Sequence, residues 1–102
     1  NAKADHFAVF VRRVATRVFT QLRSSGWENL SSNEIATLSS FTTITAELSL
    51  KGELLKVTLE SPSGSISFDQ VVATSVKKGA RDPNPPPEAV SANGNIKFIF
   101  IL

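Results

Sequence analysis

The sequence predicts an α+β fold: an N-terminal helix followed by ββαβ, with a three-stranded antiparallel sheet in the order 2-1-3 and two helices on one face. Three observations carry this expectation. Apolar residues recur every three or four positions between Asp5 and Arg23, the period drops to two after Phe41, and Ser67 to Gly79 is bounded by helix-start and helix-stop residues.

In the first segment Phe7, Phe10, Val11, Val14, Ala15, Val18 and Leu22 form an apolar stripe, and Ser24-Ser25-Gly26 is placed to stop the helix. Arg12, Arg13, Arg17 and Arg23 fall on the opposite side. Such a basic face either meets nucleic acid or anionic lipid, or is simply solvated. Trp27 is expected to seal the end of this helix rather than bind a ligand. Residues 27–40 read as a serine-rich loop, in which Ser31 and Glu34 have the spacing of a capping box for a short helical turn through Ile35 and Leu38.

Ile44, Ala46, Leu48 and Leu50 then alternate with Thr43, Thr45, Glu47 and Ser49, the pattern of a strand with one buried face. Lys51-Gly52 supplies a turn. Leu55, Val57 and Leu59 face inward from the second strand, with Lys56, Thr58 and Glu60 outward. A two-residue loop sets Leu48 opposite Leu55, Ala46 opposite Val57 and Ile44 opposite Leu59, so that inward residues meet inward residues.

Ser61-Pro62-Ser63-Gly64 breaks that strand. In the next helix Ser67 and Gln70 have capping-box spacing, and Ile66 and Val71 occupy the positions of a hydrophobic staple. Asp69 near its start and Lys77 and Lys78 near its end favour the dipole, and Gly79 is expected to close it. Asp82 to Pro87, with four prolines, is expected to run extended as a stiff connector rather than as a ligand for an SH3-like partner. The C-terminal strand follows Gly94. Ile96, Phe98, Phe100 and Leu102 can face the core, with Lys97, Ile99 and Ile101 on the other side.

An all-antiparallel sheet places this strand beside the first, which makes it an edge. The edge is guarded only by Lys97. Asn95, Ile96, Lys97, Phe98, Ile99, Phe100 and Ile101 are therefore the candidate partner-binding residues. Loop 27–40, a second copy of the domain in a homodimer, or a true partner could cover Ile99 and Ile101.

Composition limits the function classes. A chain of 102 residues, 41% hydrophobic and 20% charged with a net charge of +2, fits one soluble domain, residues 1–102, comprising the helix (1–26), the loop (27–40) and the ββαβ core (41–102). No apolar run approaches the roughly 18 residues of a membrane span. The chain begins with Asn rather than Met and is expected to be a fragment or processed product, any membrane anchor belonging to the removed part. Cysteine is absent, which excludes thiol catalysis and disulfides. His6 is the sole histidine, no metal-ligand spacing surrounds it, and no glycine-rich phosphate loop exists. No enzyme, metal or cofactor is expected. The polar sheet face also lacks the aromatic residues that an RNA-stacking sheet needs, which argues against a nucleic-acid partner.

The hairpin glycine, Ser-Pro-Ser-Gly64, Phe68-Asp69, the following helix, the proline-rich stretch and the aromatic–aliphatic terminal strand together resemble the TonB C-terminal family. The amphipathic helix followed by Trp27 is similar to family members as well. Glu28-Asn29 stands where the family often has proline after the tryptophan, and the late basic residues are reduced to Lys77 and Lys78. The resemblance implies a periplasmic domain of a protein anchored in the inner membrane and driven by a proton-powered motor through its missing N-terminal part. It implies as partner a periplasmic segment of an outer-membrane protein, received by strand addition at the last strand. A TolA-like or motility-complex envelope scaffold is the alternative, with a basic nucleic-acid-binding module behind it.

Overall fold

The structure is a computed structural model that describes residues 2–24 and 30–102. The expected roles of Ser25-Gly26 and Trp27 lie outside the described residues. The elements run α1 (Ala2–Ser24), α2 (Ser32–Ala36), β1 (Thr43–Leu48), β2 (Leu54–Ser61), α3 (Ile66–Gly79), a 3₁₀ turn (Pro87–Ala89) and β3 (Ile96–Ile101). The sheet is antiparallel in the order β2-β1-β3, as the sequence predicts. Phe10, Val14 and Val18 of α1 and Val72 and Val76 of α3 bury against Ile44, Ala46 and Leu48 of β1 and Ile96 and Phe100 of β3. Burying each of these side chains other than Ala46 contributes about 1.5–3 kcal/mol. The flanking stripe residues Phe7 and Val11 stay only partly covered, at 40% and 36% exposure.

The hairpin register holds at its centre and slips at both ends. Ile44 opposes Leu59 and Ala46 opposes Val57, but Leu48 opposes Leu54 rather than Leu55. The loop is longer than two residues: Gly52 N donates to Ser49 O and Ser49 N to Glu53 O, which inserts a bulge at Leu55. Leu54 therefore packs on the core, and Leu55 is 55% exposed. Leu59 is 47% exposed although it faces inward, because α3 leaves the outer part of β2 uncovered.

Helix α3 begins two residues earlier than expected. Ser65, extended at φ −110° and ψ 112°, is the N-cap and accepts from Phe68 N at 3.1 Å. Ile66 thus becomes the first helical residue and is 77% exposed, so no staple with Val71 forms. Ser67 instead hydrogen-bonds the Glu34 carboxyl, and with the Ser31 backbone and hydroxyl it holds that group below its usual range. The capping box of α2 forms with both bonds present. Gly79 does not close α3 through a positive φ; it lies inside the helix. A Cβ there would come within 2.7 Å of the Val18 backbone, so its requirement is the close approach of α1. The connector is extended at Pro86, then turns through Pro87–Ala89, which the expected all-extended course omitted.

Candidate interaction edge

The sheet order leaves β3 with one free side. Thr42 and Leu102 exchange both backbone bonds at 2.9 Å, so they form a closely hydrogen-bonded pair. By alternation Phe100, Phe98 and Ile96 turn their backbone groups to β1, and Lys97, Ile99 and Ile101 turn theirs outward. Side chains alternate as well. Phe98 packs on Phe10 with ring centroids 5.4 Å apart, and on Phe100 at 5.9 Å. Ile99 and Ile101 stand 66% and 62% exposed on the polar face. Phe41, placed diagonally to Ile101, is 70% exposed, so the described part of the 27–40 loop and its end do not cover this patch.

The start of the strand is already occupied. Val90 bridges Ile96, and Ser91 donates to Asn95 O from both its amide (2.7 Å) and its hydroxyl (2.6 Å). Asn95 N in turn donates to Asn93 Oδ1. The expected edge of Asn95, Ile96, Lys97, Phe98, Ile99, Phe100 and Ile101 therefore narrows to Lys97–Ile101. The turn at Ala92-Asn93-Gly94, with Gly94 at φ 86°, makes that cap.

The four arginines do not act as one free surface. Arg13 makes a two-pronged contact with Asp82, Nε to Oδ1 at 3.0 Å and Nη2 to Oδ2 at 2.9 Å. Arg17 Nη1 donates to Asp82 Oδ1 at 2.9 Å and to Arg81 O at 2.6 Å. The Asp82 side chain is fully buried, and its pKa is lowered to about 2 by the Arg13 hydrogen bonds first, burial opposing, with Arg17 and the Asn84 amide adding to the effect. Arg12 and Arg23 remain exposed. Asp82 N also donates to Gly52 O at 3.1 Å, and a Cβ on Gly52 (φ 84°) would collide with the Asp82 carbonyl oxygen. One residue thus ties α1, the β1–β2 turn and the exit of α3 together. Sequence reading missed it; the only local signal is an Asp preceding Pro just after a helix.

Asp69 does more than favour the helix start. It is buried, and its Oδ1 accepts from Thr42 Oγ1 at 2.6 Å and Ser63 N at 3.1 Å, fixing the entry to β1. His6 is exposed on α1, and among the described residues no group of His, Asp and Glu could hold a metal ion. Among these residues no helix is long and apolar enough to cross a membrane.

The sequence matches no family model and no curated protein. A solved structure does share the fold: the HasB CTD, with a TM-score of 0.51 and 22% identity over 86% of this chain. The chain spans 66% of the length of that structure. The architecture is thus shared with the HasB CTD.

Proposed function

We propose that this chain is the periplasmic binding domain of a TonB-like energy transducer, and that it receives an extended periplasmic segment of an outer-membrane protein as a fourth strand along Lys97–Ile101. The observation that carries the proposal is the outward backbone of Lys97, Ile99 and Ile101 beside two exposed isoleucines. A strand laid there gains roughly four backbone hydrogen bonds, each about 0.5–1.5 kcal/mol net before ordering costs. Such a grip is reversible, which suits a domain that must release its partner. The motor and the inner-membrane anchor belong to the same proposal, supported by the resemblance and the shared fold. So does the single-domain reading of residues 1–102. Engagement of Arg13 and Arg17 by Asp82 weighs against the nucleic-acid alternative.

The test is an NMR titration with peptides from the periplasmic faces of outer-membrane proteins. Amide shifts should cluster at residues 97–101. Shifts confined to Arg12–Arg23, or none with any peptide, would sink the proposal.

A further inference from the structure

The second free edge of the sheet, β2, carries a pattern that is complementary to itself. Within β1 the even residues bond β3, so Thr45 and Glu47 bond Thr58 and Lys56 of β2. Val57 and Leu59 consequently direct their backbone groups away from the sheet. This edge is finished unlike β3: eight residues long, without proline, and with no segment among the described residues bridging its outer side. Leu59 projects half-exposed beside it on the core face.

On the opposite face Lys56, Thr58 and Glu60 line one shallow depression with Thr45, Glu47 and Lys97. The charges at Lys56 and Glu60 are opposite and equidistant from Thr58. A two-fold axis through Thr58, perpendicular to the sheet, therefore sets Lys56 against Glu60 of a second copy, twice over. It also sets Val57 against Leu59 of that copy, both on the core face and both with outward backbone groups. Shifting the axis to Val57 pairs Lys56 with threonine, and shifting it to Leu59 pairs Glu60 with threonine. Only the axis on Thr58 satisfies both charges.

We propose that β2 pairs antiparallel with β2 of a second copy of this chain in this register, giving a continuous six-stranded sheet. The alternation of charge already present across Lys97, Glu47 and Lys56 would continue into Glu60 of the second copy. The two Val57–Leu59 pairs supply roughly four backbone hydrogen bonds, and the half-exposed leucines become covered. The seam is narrow, so the dimer is weak and concentration-dependent. Both β3 edges are left free at the far ends of the sheet, so this inference does not depend on what binds there.

Two measurements test it. Sedimentation up to roughly 1 mM should show dimers whose dissociation constant rises about tenfold in Lys56→Glu and in Glu60→Lys, because each creates two like-charged pairs. The double variant restores opposite charges across the seam and should return to within about twofold of the parent. Circular dichroism serves as the check that each variant is folded. The chain contains no cysteine, so Thr58→Cys gives a clean cross-link. Cα atoms at the axis lie about 4.5 Å apart in a non-hydrogen-bonded pair, within disulfide reach. Thr58→Cys should oxidise to a covalent dimer well ahead of Ile99→Cys. A monomer at all concentrations, equal cross-linking through Ile99→Cys, or no rescue by the double variant would overturn the proposal.

Discussion

β2 and β3 flank the same central strand, yet they are finished in different ways. The first turn of β3 is masked by the Val90–Ser91 segment, and its open face carries Ile99 and Ile101 beside Phe41. Among the described residues β2 has no such mask, and its open face is charged and threonine-rich. The apolar exposure of β2 lies at Leu55, on the bulge, and at Leu59 on the core side. A short edge flanked by apolar side chains suits a short extended peptide of another protein. A long edge with antisymmetric charge suits its own copy. The difference arises from what each strand is attached to: β2 hangs from a turn locked on Asp82, and β3 from a hairpin of its own.

The largest test of that attachment is Gly52→Val. The residue needs φ 84°, and any Cβ meets the Asp82 carbonyl, so backbone must move. We expect a loss of about 3 kcal/mol or more in urea unfolding, from strain plus the lost Gly52–Asp82 contact. Amide shifts in the folded variant should spread over β2 and spare β3. Equal disturbance of both strands would show that the two edges are not independently held.

Asp82→Asn comes next and tests the charge rather than the shape. A pKa lowered from 3.8 to about 2 corresponds to about 2 kcal/mol of stability at neutral pH. Because the folded value is the lower one, this contribution is complete above about pH 5 and is lost as pH falls through 2. The gap between parent and variant in denaturant titrations should therefore close in acid. A gap that stays constant between pH 7 and pH 2 would mean that packing, not the ion pairs with Arg13 and Arg17, carries Asp82.

Ile99→Pro separates the edges by function. Its amide points away from β1, so proline removes an outward donor and no ladder bond. We expect peptide affinity to fall at least about tenfold, with about 1–2 kcal/mol of stability lost, mainly from forcing φ. Dimer strength measured by sedimentation should not change. Loss of both properties together would place them on one edge and break the comparison.

What was legible in the sequence was whatever depends on near neighbours. The alternation of Ile44, Ala46 and Leu48 fixed the buried face of β1, and the Ser31–Glu34 spacing fixed the start of α2. Strand order followed from connection rules, since an antiparallel third strand had to lie beside the first. The N-cap of α3 was missed for a local reason, the others for long-range ones. Ser65 outcompetes Ser67 as N-cap because the Ser63 hydroxyl already orders its amide. Gly79 is needed by α1, which lies far away in sequence. The Arg13 side chain reaches Asp82 across a separation of 69 residues, so a stripe that looked solvated is half engaged. In the candidate edge, the alternation gave the outward residues Ile99 and Ile101 correctly, but Asn95 and Ile96 were capped by a turn that only the fold brings back.

That turn yields the smallest effect. Gly94 adopts φ 86°, and a Cβ added there would meet nothing within 4 Å, so Gly94→Ala costs only the left-handed backbone, about 1 kcal/mol. Gly94 N donates to Ser91 O, and Ser91 in turn holds Asn95. Loosening this turn should expose the backbone at Asn95 and Lys97 to hydrogen exchange and lengthen the pairing edge of β3. Two opposing consequences follow for a peptide. A longer edge offers additional backbone bonds, whereas a looser one must first be ordered. If the cap serves to limit the edge, the variant should bind longer peptides more tightly than the parent and short ones no better. If it serves to hold β3 straight, both should bind more weakly. In either case the β2 seam, on the other side of β1, should keep its dissociation constant, and a change there would show that the turn at Gly94 governs the whole sheet rather than one edge.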